Sequence, residues 1–163
     1  MTGSAQTAPS ATTTTDAAQA RALWAKWNAL WNGEIDLSRA DEVIADRFTV
    51  HGTSLAGRMK TAAIDEIRDR DGLVSWIART RAALEELHFT DEPGPIVEGD
   101  LVAGRYRATA VHRGGTPGAT APIGTPTEHV GMNILRIEDG RFTEYWTVAD
   151  TLGLLTQLGL ITS

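Results

Sequence analysis

The sequence predicts an α+β domain in which helices cover one face of a curved sheet. Three observations carry that assignment. A helical stretch rich in tryptophan opens the folded part, alternating apolar and polar runs fill the second half, and helical spacing returns in the last residues. Helices first and strands later is the order of an α+β fold rather than of repeated β-α-β units.

The first fifteen residues, MTGSAQTAPSATTTT, contain almost no apolar bulk beyond alanine and cannot offset the entropy of ordering themselves. The sequence therefore predicts a disordered leader over 1–15 and a single domain over 16–163. In DAAQ, Asp16 is placed as an N-cap, with Gln19 three residues on. Leu23, Trp24, Trp27, Leu30 and Trp31 then recur at helical spacing, giving one apolar, aromatic face that Gly33 ends.

SRADEVIADRF reads as a short second helix capped by Ser38. RFTVHGT alternates as a strand, with Phe48 and Val50 on one face and Thr49 and His51 on the other. A helical stretch is expected from Thr61 to Arg70. Asp71 is placed as the cap of another, with Leu73, Val74, Ile77, Leu84 and Leu87 on one side. LHFTDEP resumes β character, and DLVAGRYRATAVHR forms a longer strand with Val102, Tyr106 and Ala108 opposite Leu101, Arg105 and Arg107.

GGTPGATAPIGTPT is a loop of the length that usually serves function or motion. Two strands follow, EHVGMNILRI and RFTEYWTVA, joined by the hairpin signal EDG. Gly131 marks a bulge or kink in the first of them. A helix starting at Asp150 ends the chain.

Composition narrows the function classes. The chain has 163 residues, ordinary apolar content and a net charge of −6. Its two lysines and thirteen arginines form no basic stripe, so nucleic acid is not expected as a partner. The absence of cysteine excludes disulfides, thiol nucleophiles and thiolate metal sites. No apolar run reaches the length of a membrane span, and the N-terminus lacks the order of a signal peptide, so a cytoplasmic location is expected.

Candidate chemistry concentrates near the C-terminus. Asp150 has two readings: it caps the last helix through its carboxylate, or it moves protons beside an aromatic cavity. The histidines His51, His88, His112 and His129 show no compact ligand spacing, so no metal is expected. His51 and His112 end strands and are the candidates for an alternative base. Trp27, Trp31, Tyr106, Met132 and Trp146 are the residues expected to shape a pocket for a flat, hydrophobic ligand. Asn133 and Thr147 are placed to donate hydrogen bonds there. Glu144 shares a strand face with Trp146 and calls for Arg136 or Arg105 as its ionic partner.

The closing segment NILRIEDGRFTEYWTVADTLGLLTQLGLI (133–161) resembles the SnoaL-like polyketide cyclases of the nuclear transport factor 2-like superfamily. The tryptophan-rich helix with Asn28, ADRFTVHGTSLAG, GLVSWIARTRAALEELHFT and EGDLVAGRYRATAVHRG follow the same order, so the resemblance spans 17–161. It implies a cone-shaped barrel, in which a strongly curved antiparallel sheet wraps around N-terminal helices and leaves a pocket between them. It also implies a cofactor-free enzyme acting on a polyketide-like secondary metabolite by intramolecular cyclisation or isomerisation, and a homodimer or higher oligomer formed through the sheet's outer face.

One departure stands out. In the cyclases an acid/base aspartate directly follows the tryptophan of Glu-x-Trp, and that position here is Thr147; its polar partner, a histidine in the family, is Asn133. Threonine does not titrate near neutrality. Asp150 is then the nearest candidate proton shuttle. Two further readings stay open on this scaffold: an epoxide hydrolase or epoxide-opening cyclase, and a non-catalytic small-molecule-binding or dimerisation module.

Overall fold

Asp16 is the N-cap of the first described helix, as its sequence position predicts. Its carboxylate accepts the Ala18 N–H at 3.3 Å, and α1 runs over Ala17–Asn32 until Gly33 closes it at φ 76°. The computed structural model describes residues 16–52 and 66–161. The expected leader and the first part of the helix expected from Thr61 lie outside them.

Ala20, Leu23, Trp24, Trp27, Leu30 and Trp31 form the buried stripe of α1. A 3₁₀ turn, Leu37–Glu42, follows. Asp36 caps it rather than Ser38, because the Asp36 carboxylate accepts the Ser38 N–H at 2.8 Å. β1 (Ile44–Gly52) buries Phe48 and Val50 as expected. The described residues just before Arg70, 67–69, run beside β1 rather than in a helix. The amide groups of Phe48 and Val50 donate to the carbonyls of Arg68 and Ile67, so this stretch runs along β1. α2 (Arg70–Ala83) is capped by Asp69 rather than Asp71, through the Gly72 N–H at 2.7 Å.

β2 (Leu84–Asp91) takes two leucines that the periodicity had put on a helix. A bulge between Glu85 and His88, with Glu86 at φ 55°, inserts one residue into β2. Leu84 and Leu87 are three apart, yet both turn inward, so the bulge imitates helical spacing. β3 (Ile96–Glu98), β4 (Leu101–His112), β5 (Pro126–Glu138), β6 (Arg141–Ala149) and α3 (Thr151–Gln157) complete the order. Asp139 and Gly140, both at positive φ, turn β5 into β6 as EDG signalled.

The sheet runs β1-β6-β5-β4-β2, with β3 paired to the same edge of β4 as β2. It is the α+β fold with a strongly curved sheet that was expected; the sheet is unclosed, and it is mixed because one pair, β1 with β6, is parallel. The neighbouring pairs β6-β5-β4 are antiparallel, each joined by a direct connection. β1 reaches β6 only after α2 and four intervening strands, with no hairpin to set its direction, and pairs in parallel.

The concave face holds the core. Trp24 packs against Gly104 of β4, where a Cβ would come within 2.6 Å of the indole. Two polar devices fix α1 to β2. Asn32 exchanges side-chain hydrogen bonds with the Phe89 backbone, and the Asp91 carboxylate accepts from Trp24 Nε1 and Asn28 Nδ2 at 3.0–3.1 Å.

Gly131 is a point of close approach. A Cβ there would sit 2.3 Å from the Tyr106 hydroxyl and 2.7 Å from the Val148 carbonyl. The β4-β5 pairing is continuous through this position, so the glycine serves the Tyr106 ring rather than a bulge. Gly131→Ala is expected to cost about 1–3 kcal/mol, the usual penalty of overpacking. Chemical denaturation would show it as a lower midpoint with an unchanged slope. Among the described residues no helix is long and apolar enough to cross a membrane.

Candidate active site

A cavity of about 190 Å³ opens between α1, α2 and the concave face of β4-β5-β6, with α3 at one end. Its walls form an aromatic chain. Trp27 meets Trp31 and Tyr145 edge-on, with centroids 6.1 and 4.9 Å away. Trp31 meets Trp76 at 5.1 Å and Phe89 at 5.4 Å; Phe89 meets Tyr106 at 5.0 Å, and Tyr106 meets His129 at 6.0 Å. Edge-to-face contacts of this kind hold rings in fixed orientations.

One wall is polar. Asn133 is buried, and its Oδ1 accepts from the Tyr145 hydroxyl at 2.9 Å and the Thr147 hydroxyl at 3.0 Å. Both hydroxyl protons are thereby directed to one oxygen. The Asn133 amide NH₂ is left without a partner among the described residues and is the wall's available donor. Asn28 contributes from α1, and its NH₂ is held by Asp91.

Burial pushes the Tyr106 phenol up to about 12, with Thr147 opposing, and raises Tyr145 as well. Both stay protonated at neutral pH and serve as donors, not bases. No aspartate or glutamate lines the cavity among the described residues. Among its described lining residues the one histidine is His129. Burial lowers that imidazole from the ordinary histidine value, and the Asp150 carboxylate partly opposes the shift.

The structure brings Trp27, Trp31, Tyr106, Asn133 and Thr147 together in the lining of this cavity. It places the other candidates elsewhere. Met132 and Trp146 point to the convex face, because each is the chain neighbour of an inward residue, Asn133 or Thr147. His51 is on that face too, stacked on Trp146 at 4.8 Å and bonded to Glu144 at 2.9 Å. Glu144 also meets Arg136 at 3.2 Å, the expected partner. His112 is buried at the end of β4 outside the cavity, its Nδ1 without a partner among the described residues. Asp150 is exposed; its carboxylate accepts the Gly153 N–H at 2.8 Å and caps α3.

His129, Tyr145, Trp76 and Asn28 are cavity residues that the site prediction did not name. His129 and Tyr145 each had a signal. Strand alternation puts His129 on the face of Asn133, four residues on, and Tyr145 on the face of Thr147. Among the described residues no cluster of histidine, aspartate and glutamate could hold a metal ion.

The SnoaL-like polyketide cyclase family model matches residues 21–158. The chain belongs to the SnoaL-like polyketide cyclase family. Solved structures agree with that assignment. IdmH of Streptomyces antibioticus, a proposed polyketide cyclase, is 31% identical, covers 85% of this SnoaL-like chain and 96% of its own, and superposes with a TM-score of 0.68. TsrD of Streptomyces laurentii is 25% identical over 90% of this chain and 99% of its own, with a TM-score of 0.71. AclR of Streptomyces galilaeus, a proposed hydroxylase, shares the fold at 24% identity, 91% and 89% coverage and a TM-score of 0.71. No curated protein matches the SnoaL-like chain at a significant level.

Proposed function

We propose that the protein is a cofactor-independent cyclase that closes a ring within a small hydrophobic polyketide-like molecule. The observation that carries this reading is the cavity's two-sided chemistry: aromatic walls, and the Asn133-Tyr145-Thr147 cluster on β5 and β6. Aromatic walls hold a flexible polyketone in the folded conformer that reacts. The Asn133 amide donates to the oxygen that becomes negative when a ketone enolises. At about 190 Å³ the cavity is smaller than the ~300–1,000 Å³ of most ligand pockets, which favours a product of one or two rings.

The ring closure is an isomerisation. A proton leaves the carbon beside one carbonyl, the resulting enolate carbon bonds to a second carbonyl carbon, and that oxygen takes a proton. Epoxide opening is less supported, since it needs a carboxylate inside the cavity and none lines it among the described residues. A synthetic linear diketone of two-ring size, followed by NMR, tests the reading. Ring closure at unchanged mass, faster than in buffer, supports it. Closure at the buffer rate, with the diketone bound, leaves a binding module.

The proposed assembly is a homodimer through the convex face, where Met132, Ile134 and Val148 are exposed in one patch beside Trp146. Met132→Glu combined with Val148→Lys is expected to yield monomers by sedimentation while the circular dichroism spectrum is kept. A monomeric wild type would overturn the assembly.

A further inference from the structure

We infer that His129 is the cavity's proton-transfer residue and that Asp150, across the β6–α3 junction, tunes it by its charge. The inference rests on the cyclase reading above and names the base that reading requires.

Geometry comes first. His129 lies on the inward face of β5, opposite Ala108 of β4, and lines the cavity four residues before Asn133. Its ring meets Tyr106 edge-on at 6.0 Å and 89°. Neither ring nitrogen hydrogen-bonds a described residue, so the imidazole is uncommitted and reaches the cavity. Asp150 sits alongside, because its backbone N–H donates to the carbonyl of Val130, the residue after His129.

The groups facing His129 leave few other candidates. β4 contributes the Tyr106 phenol and β6 the Tyr145 phenol, both protonated at neutral pH. α1 and α2 contribute Asn28, Trp31, Trp76 and Thr80, and α3 contributes Thr151 and Leu154, none of them charged. Asp150 is the charge that acts on the imidazole, and burial outweighs it. His129 is therefore neutral at pH 7 and can accept a proton.

In the ring closure, a neutral His129 nitrogen takes the proton from the carbon beside a ketone. The C–H electron pair becomes the enolate, whose oxygen faces the Asn133 amide. The new C–C bond forms at the second carbonyl carbon, and the imidazolium returns its proton to that oxygen. Nothing is oxidised or reduced, and Asp150 stabilises the transient imidazolium without touching the substrate.

A flat two-ring probe tests this without the natural substrate. Base removal of the C3 proton of 5-nitrobenzisoxazole breaks its N–O bond and releases a coloured cyanophenolate. Binding is read separately, from quenching of tryptophan emission by the probe. Wild type is expected to bind saturably and convert the probe, with a rate that rises with pH through a midpoint below the ordinary histidine value of 6.5. His129→Gln is expected to bind and to lose about 100-fold or more in rate, whereas His88→Gln on exposed β2 keeps it.

Asp150→Asn keeps the helix cap and removes the charge, so the midpoint is expected at still lower pH. Binding with an unchanged rate in His129→Gln overturns the assignment of His129. An unmoved midpoint in Asp150→Asn overturns the role of Asp150. Absence of saturable quenching in wild type overturns the cavity reading itself. Should His129→Gln not fold, NMR of the wild type decides: a His129 Cε1–H resonance that does not respond to bound probe overturns the inference.

Discussion

Trp27→Ala is expected to lower the unfolding free energy by about 3–5 kcal/mol, the usual cost of deleting a buried tryptophan side chain. The indole is 1% exposed and sits where α1, β1 and β6 converge. Trp31, Phe48, Phe142 and Tyr145 surround it at centroid distances of 4.9–6.2 Å. Such a void cannot collapse without moving rings from three elements, which places the cost toward the upper end. A domain of this size holds ~5–15 kcal/mol in all, so the variant stands near the edge of folding.

Urea denaturation followed by circular dichroism measures the loss. Trp146→Ala is the contrast: that indole is only partly buried on the convex face, and its loss is expected to cost far less. Equal costs for the two would mean that the ring cluster on α1 does not centre the core.

The difference between these tryptophans shows what the sequence could reveal and what it could not. The α1 stripe was readable, because 3.6-residue spacing and an Asp–Gly pair of caps are local properties. So was the β5–β6 hairpin, through Asp139 and Gly140. Less readable was β2, where the bulge at Glu86 gave Leu84 and Leu87 the spacing of a helix. The parallel pairing of β1 with β6 was not readable at all. It joins residues 95 to 98 positions apart, such as Thr49 with Glu144 and Ile44 with Phe142, and no local pattern encodes it.

The site divides along the same line. Aromatic content announced a cavity, but choosing its members required the inward parity of each strand. Met132 and Asn133 are neighbours, as are Trp146 and Thr147, and strand alternation admits only one of each pair to the cavity. Asn133, Thr147 and His129 satisfy a single parity together with Tyr145, and a bulge at Thr143 changes it only beyond them, where Phe142 also turns inward. The role of Asp150 turned on where β6 ends. β6 stops at Ala149, so the aspartate begins α3 and its carboxylate goes to the Gly153 amide.

Asn133→Leu is expected to reduce kcat for ring closure by about 10²–10³-fold, the usual cost of removing one donor to a developing oxyanion. KM should change little, because the aromatic walls that hold the substrate remain. The same substitution takes the acceptor from two hydroxyls, Tyr145 and Thr147, and should cost about 1–3 kcal/mol of stability.

Asn133→Asp separates the two effects. A carboxylate accepts from both hydroxyls as well as the amide oxygen does, so most of the stability should return. It also replaces the donor with a negative charge beside the enolate oxygen, so the rate should stay low. If Asn133→Asp recovered the rate along with the stability, Asn133 would be scaffolding for Tyr145 and Thr147, and the oxyanion would be held by their hydroxyls instead. A rate that follows the amide NH₂, and not the two hydroxyl bonds, makes Asn133 the donor that holds the enolate oxygen on this wall, beside the proton transfer assigned to His129.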